Sequence, residues 1–400
     1  MPALPAQPLD PMRPSLATPG PIPVLLMTRE LGIGGCERDL AKLALGINRA
    51  RFEPHVACFV SGGFRRRELE RAAVPILDLA VPSFRSWAFP AGLRRLSRYL
   101  SSRRIQILHS LDVPANLFGS AVGLVRRAPV VITSQLGARD LYDRRTHRML
   151  RWTDRRSDLV VVNCEFQRRQ LVTREGIPAD HIAVCYNGVD RDDFHPPADP
   201  AGRRNVLPPP LREASLIIGT VAALRPEKDL ATLIEAFSRV QGHREGLRLV
   251  IVGDGPMIES WKFLAGRLGI AHLCHFEPAT ANVADWIRAM DIFVLCSISE
   301  SFSNSLLEAM ACGCCPVASR VGGLPEMIIE EENGLLIEAG DPVDLASKLE
   351  RVIRDDGLRM NLGAKAAQHA HGKFSVQAFV RNMEEIYISR FRKARPEWPV

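Results

Sequence analysis

Residues 22 to 195 alternate short apolar runs with segments of helical periodicity. Ile22-Pro-Val-Leu-Leu-Met27, His55-Val-Ala-Cys-Phe-Val60, Ile105-Gln-Ile-Leu-His109, Val130-Val-Ile-Thr133, Leu159-Val-Val-Val162 and Ile182-Ala-Val-Cys-Tyr186 read as strands. With helical stretches between them, they predict a parallel sheet with crossover helices. A Pro- and Arg-rich break from His195-Pro-Pro to Leu207-Pro-Pro-Pro210 reads as a linker. The alternation then restarts with Leu216–Val221, Leu247–Val252, His275-Phe276, Asp291–Ser297 and Pro316-Val-Ala318. Near the end, Phe379, Met383, Ile386, Tyr387 and Phe391 recur at helical spacing and predict an amphipathic helix packed on a domain. The expected fold class is therefore α/β, with two Rossmann-like doubly wound domains facing a central cleft. Ligands in open parallel sheets sit beyond the carboxyl ends of the strands, so that cleft is the expected site.

Length and composition agree with two domains, because 400 residues at 46% hydrophobic and 24% charged exceed one ordinary core. The expected boundaries are a disordered leader over 1–21, a first domain over 22–195, a linker over 196–214 and a second domain over 215–375. A terminal segment follows over 376–400. No apolar run approaches the roughly 18 to 20 residues of a membrane span. The Pro-rich leader lacks a basic start and an apolar h-region, and nine cysteines stand without paired spacing. Both features predict a cytoplasmic address.

Charge sharpens the asymmetry between the halves. Residues 1–200 hold 29 Lys and Arg against 20 Asp and Glu, so the surplus belongs to the first half. It gathers in Arg65-Arg66-Arg67, Arg94-Arg95, Arg103-Arg104, Arg126-Arg127, Arg144-Arg145 and Arg155-Arg156. Such faces serve anionic membrane surfaces or acidic acceptors. Nucleic acid is not an expected partner, since no binding motif or aromatic series accompanies the charge.

Candidate chemistry lies at strand ends. Glu300-Ser-Phe-Ser-Asn-Ser-Leu-Leu-Glu308 places one carboxylate in a loop after an apolar strand and another inside the next helix. Two carboxylates at these depths can accept from hydroxyls on either side of a diphosphate held by free amides at the helix start. Ser305-x-x-Glu308 also reads as a capping box, in which Glu308 merely serves the helix. Gly219-Thr-Val-Ala-Ala-Leu-Arg-Pro-Glu-Lys-Asp229 sets Arg225 and Lys228 beside a rigid Pro, suited to neutralising a leaving diphosphate, or else paired with Glu227 and Asp229 at the surface. In the first half, Gly32, Gly34 and Gly35 lead into a helix and let backbone approach a phosphate. Cys312-Gly-Cys-Cys-Pro316 lacks a second ligand pair with zinc-like spacing and reads as buried thiols. No Asp-x-Asp pair stands where a diphosphate-bridging metal would need one, because Asp190 and Asp192 fall between the domains. Charge neutralisation without a metal is the expectation.

Taken in order, these elements resemble retaining glycosyltransferases of the GT-B architecture, specifically glycosyltransferase family 4. The resemblance runs through Gly34-Gly35-Cys-Glu-Arg38, Val184-Cys-Tyr-Asn-Gly-Val-Asp-x3-Phe194 and Arg225-Pro-Glu-Lys228. It continues through Val252-Gly-Asp-Gly-Pro256, Glu300-x7-Glu308, Gly322-Gly323-Leu-Pro-Glu326 and Asn333-Gly334. It implies transfer of a sugar from a nucleotide-sugar donor to a hydroxyl of a glycan or lipid-linked acceptor, with no cofactor beyond the donor substrate. Arg225 and Lys228 would bind the diphosphate, Glu308 the ribose hydroxyls and Glu300 the transferred sugar. The amides around Ser305 and Leu306 would meet the phosphates, and Gly34 and Gly35 would close on them from the first domain. The helix from about 376 would return to the first domain. His109 matches a common family histidine and is an acceptor-side candidate. The chain departs where many members carry His-Gly, reading Thr133-Ser-Gln-Leu-Gly137 and making Gln135 the second acceptor-side candidate. That departure raises a rival reading, a non-catalytic donor-binding subunit of a polysaccharide assembly complex. A nucleotide-sugar epimerase of the same architecture is a third. The expected setting is cell-surface polysaccharide or glycolipid biosynthesis, at the inner face of the plasma membrane.

Overall fold

Val24 to Met27 are wholly buried, as four consecutive apolar residues must be in a strand covered on both faces. They form the middle of β1 (Ile22–Thr28), an interior strand of a seven-stranded sheet. This computed structural model describes residues 20–83, 86–123, 128 and 130–396, so most of the expected leader and Arg126-Arg127 lie outside the described residues. The other strands of the first sheet are β2 (Phe52–Cys58), β3 (Ile76–Asp78), β4 (Ile107–Ser110), β5 (Val130–Gln135), β6 (Leu159–Val162) and β7 (Ile182–Val184). The second sheet holds β8 (Leu216–Val221), β9 (Leu247–Val252), β10 (Cys274–Glu277), β11 (Ile292–Leu295), β12 (Cys315–Ser319) and β13 (Leu335–Ile337).

Strand order is β3-β2-β1-β4-β5-β6-β7 in the first sheet and β10-β9-β8-β11-β12-β13 in the second. Both sheets are parallel, and both reverse direction of winding between their first and fourth strands. Such a switch point sends neighbouring crossovers to opposite faces and opens a crevice beyond the strand ends. In the second sheet the opening is pronounced. β8 pairs with β9 along its whole length, but with β11 only at Ile218 and Gly219.

The segment expected as a linker is fastened to the second sheet. Arg203 and Arg204 both pair with Asp291, whose Oδ2 also accepts from the Ile217 amide at 2.7 Å. Leu207 and Leu211 are buried in the core of the second domain. The chain passes between domains twice, and the two passages are bonded to each other. Val189 N donates to Phe374 O at 2.7 Å, and Val376 N donates to Val189 O at 3.0 Å. Gly188 makes this approach possible, since a Cβ there would lie 2.7 Å from Val376 Cα.

After that second passage, the helix Val376–Ala394 packs on the first sheet. Phe379, Met383, Tyr387 and Phe391 are buried with Ile22, Val24 and Phe52, whereas Ile386 is only partly covered. Tyr387 is fully buried, edge-on to Phe52 at 5.9 Å. Its hydroxyl lies 2.6 Å from His109 Nδ1, and His109 Nε2 lies 2.7 Å from Ser134 Oγ. This placement corrects the expectation that His109 lines the cleft. It is fully buried on β4, both ring nitrogens are engaged, and burial pushes the imidazole down to about 3. A neutral ring bracing the terminal helix is what such a site holds.

Candidate functional site

The crevice of the second sheet is walled by the loops after β8 and β11. After β8, Arg225 leads a short turn, Pro226–Lys228, that ends on Asp229 in the left-handed region at φ 44°. Ile298 N donates to Glu227 O at 2.9 Å, tying this turn to the loop from β11. Lys228 Nζ consequently meets the Glu300 carboxylate across the switch point, and Ser297 Oγ approaches the same oxygen at 3.3 Å. Gly322 supports the loop from beneath. Its φ of 56° and its contact with the Glu300 carbonyl leave no room for a Cβ. Arg225 is exposed at the cleft, and its guanidinium makes no hydrogen bond or ion pair among the described residues. The sequence reading that paired both cations with Glu227 and Asp229 is not what the structure shows.

The helix Asn304–Ala311 starts at this crevice. Its N-cap is Ser303, whose Oγ accepts from the Leu306 amide at 3.3 Å. The capping-box reading of Ser305 and Glu308 therefore fails, because Ser305 lies inside the helix and Glu308 turns away from its start. The Leu306 amide, expected to face a phosphate, is taken by this cap. Among the described residues the amides of Asn304 and Ser305 have no partner, so they are the ones available to an anion.

Opposite stands the helix Gly35–Gly46 of the first domain, with Gly34 as its N-cap. Gly35 comes so close to the second domain that a Cβ would lie 3.3 Å from Asn304 Nδ2. Two helix starts from two domains thus share one space. One turn further in, Arg38 pairs with Glu308, which is almost fully buried. Burial raises the Glu308 carboxyl above its ordinary range, while Arg38 and Lys42 oppose that shift. Lys42 is itself lowered by burial, and its ammonium donates to Gly188 O at 2.6 Å. Asn187 Nδ2 completes the contact by donating to Asn304 Oδ1 at 2.9 Å.

A second interdomain contact lies beyond Glu300. Ser301 Oγ is 2.6 Å from Asn163 Oδ1 and 2.8 Å from Gln167 Oε1. Glu326 accepts from the amides of Glu165 and Phe166 at 2.9 and 2.6 Å, and from Tyr186 Oη at 2.8 Å. A carboxylate from one domain thus sits on the start of the helix Glu165–Glu175 in the other, where the helix dipole favours it. Between these contacts lies a cavity of about 410 Å³, lined by Arg139, His147 and Gln167 on one side and Glu300, Arg320 and Gly322 on the other.

Gln135 does not line that cavity. Its side chain is buried and donates to Asp154 Oδ1 at 3.0 Å, while Arg139 pairs with the other oxygen of Asp154. A buried carboxylate requires these donors, so Gln135 is committed to the interior. Structure thus brings together Gly34, Gly35, Lys228, Glu300, Ser305 and Glu308 at the cleft, with Arg225 at its edge and Leu306 buried behind. Arg38, Asn304 and Glu326 carry contacts that sequence reasoning assigned to no one. Arg38 and Glu326 stood inside quoted motifs, but their partners lie 270 and about 160 residues away. Among the described residues, no group of three or more His, Cys, Asp or Glu could hold a metal ion.

Comparison with known proteins bears on this arrangement. The family model described as Glycosyltransferase Family 4 matches residues 33–193, and that described as Glycosyl transferases group 1 matches residues 207–369. The chain is 31% identical over 249 residues to a D-inositol 3-phosphate glycosyltransferase of Streptomyces bingchenggensis, covering 60% of this chain and 54% of the relative. It is 31% identical over 182 residues to the N-acetyl-alpha-D-glucosaminyl L-malate synthase of Bacillus anthracis, covering 46% and 48%. The chain thus spans only about half the length of these curated relatives. Among solved structures, Anabaena HepE in complex with UDP and glucose superposes with a TM-score of 0.80 at 20% identity, covering 92% of this chain and 100% of that one. The sucrose-phosphate synthase of Thermosynechococcus elongatus superposes with a TM-score of 0.75 at 19% identity, covering 93% and 100%. At such identities these structures speak for the fold, which is the GT-B arrangement of two facing Rossmann-like domains.

Proposed function

The chain belongs to the family 4 type of glycosyltransferase, and from that premise we propose that it moves a sugar from a nucleotide diphosphate-sugar to an acceptor hydroxyl, with retained anomeric configuration and without a metal ion. The observation that carries this reading is Lys228 meeting Glu300 across the switch point, in the loop that leads into the helix whose Asn304 Gly35 approaches from the first domain. Lys228, Arg225 and the two helix starts stabilise the negative charge that grows on the departing diphosphate. Glu300 accepts from hydroxyls of the transferred sugar, and Glu308 from those of the ribose. The bond from the anomeric carbon to the diphosphate oxygen breaks as the acceptor oxygen approaches the same face. The departing phosphate oxygen takes the acceptor proton. This route calls for no side-chain base, which suits a chain whose His109 and Gln135 are both engaged inside the first domain.

A thermal-shift screen across UDP-, GDP- and ADP-sugars tests the donor assignment, beginning with UDP-glucose because the Anabaena structure holds UDP and glucose. A competent donor is expected to raise the midpoint by several degrees. No stabilisation by any donor would remove the reading. Proton NMR of the products then separates the alternatives. A retained glycoside supports transfer, an epimerised sugar would point to an epimerase, and binding without transfer or slow hydrolysis to a non-catalytic subunit.

A glycan or lipid-linked acceptor in cell-surface polysaccharide or glycolipid synthesis is the reading that the basic first domain supports. Arg144, Arg145, Arg148 and Arg155 are exposed along one helix and its end, with no ion pair among the described residues. Other arginines of the first half are engaged: Arg66 pairs with Glu70 and Asp78, and Arg156 stacks over Trp152 at 4.6 Å. No described helix is long and apolar enough to cross a membrane. The chain is expected to sediment with vesicles containing anionic lipid and to be released by salt. Equal partitioning onto neutral vesicles would instead favour a small acceptor, as the names of the inositol-phosphate and malate relatives suggest.

A further inference from the structure

The helices Gly35–Gly46 and Asn304–Ala311 come from different domains, begin at the same place and stay in step for a turn. Gly35 faces Asn304, and three residues on, Arg38 faces Glu308 four residues on. The carboxylate assigned above to the ribose is therefore held by a cation from the opposite domain. That hold uses little of the guanidinium. Only Nη1 hydrogen-bonds to Glu308, through one oxygen, and the buried Nε has no hydrogen-bond partner. Arginine has five N–H donors in a fork that matches phosphate oxygens better than a single carboxylate oxygen.

Resting on the donor reading above, we propose that Arg38 is a further donor-binding residue that exchanges partners: the ribose hydroxyls take Glu308, and the guanidinium turns to the donor diphosphate between the two helix starts. Reach is not an obstacle. Side chains on a helix lean toward its N-terminus, and one turn rises only about 5.4 Å. Glu308 is not left without a cation, because Lys42 stays beside it, anchored on Gly188 O. The exchange makes ribose and diphosphate recognition interdependent. A nucleoside alone must displace Arg38 without offering it an anion, whereas a nucleoside diphosphate supplies one.

Calorimetric titration of uridine against UDP, adenosine against ADP and guanosine against GDP tests this on the wild-type chain, Arg38→Met and Arg38→Gln. Arg38→Gln can still donate to Glu308, so it carries the test if the methionine variant folds poorly by circular dichroism. For whichever diphosphate the wild type binds, Arg38→Met should weaken it about 10- to 100-fold, the usual loss for a charged hydrogen-bonding partner. The matching nucleoside should bind at least as tightly as before, or tighter. Equal weakening of both would overturn the exchange and leave Arg38 a static clamp, and so would unchanged affinity for the diphosphate. Failure of the wild type to bind any of the three diphosphates would instead remove the donor reading, and the exchange with it.

Discussion

Lys228→Ala is expected to lower turnover with a competent donor by roughly 10²- to 10³-fold, the loss found when a preorganised group facing developing negative charge is removed. The expectation rests on position. Lys228 is fixed by a turn that Ile298 ties down, and its ammonium spans the switch point to Glu300. The fold should hardly respond. Both partners are partly exposed, at 18% and 15%, and such a pair contributes only about 1 kcal/mol once solvent screening is counted. The measurement is kcat beside the thermal midpoint. Full turnover with an unchanged midpoint would show that the diphosphate is neutralised elsewhere. Arg225→Ala should act in the same direction with a smaller stability effect still, since its guanidinium is exposed and makes no described pair.

Tyr387→Ala is expected to cost about 3–5 kcal/mol of unfolding free energy, as truncation of a large, fully buried aromatic generally does. The ring fills the space between Phe52 and His109, and its loss also leaves His109 Nδ1 without a partner. Tyr387→Phe removes only the hydroxyl and should cost about 1–3 kcal/mol. The pH dependence follows from His109. Its folded pKa, pushed down to about 3, lies below the ordinary 6.5, so the unfolded chain binds the proton first as pH falls. The stability contribution is complete above pH 6.5 and is lost between pH 6.5 and 3, at about 1.4 kcal/mol per pH unit. Urea unfolding at pH 7, 5 and 4 should show that slope in the wild type and a shallower one in His109→Gln. Parallel slopes would mean that other groups govern acid unfolding.

Much of the fold was legible because its strands are long apolar runs between glycine- or proline-marked turns. Two three-residue strands, Ile76–Asp78 and Leu335–Ile337, escaped notice, whereas Ile182–Val184 was read within a longer run. At the site, Glu300 and Lys228 were legible as strand-end residues, and the structure adds that they touch. Ser303 rather than Ser305 caps the helix, a two-residue slip that a serine-rich start makes easy in a one-dimensional reading. His109 and Gln135 point inward for a reason that sequence does not display. Whether a polar side chain at a strand end faces the cleft or the interior depends on partners such as Tyr387 and Asp154, far along the chain. Arg38 with Glu308, and Glu326 with the helix start at Glu165, are likewise long-range pairs that local pattern cannot match.

The two chain passages joined at Val189 and Ser375 constrain what the domains can do relative to each other. Bonded backbone to backbone, they act as a single pin at which the domains cannot slide past each other. Points near the pin then move little and points far from it move most. Any opening of the cleft is therefore largest at its far rims, where a distance between two labels on the domains would report it.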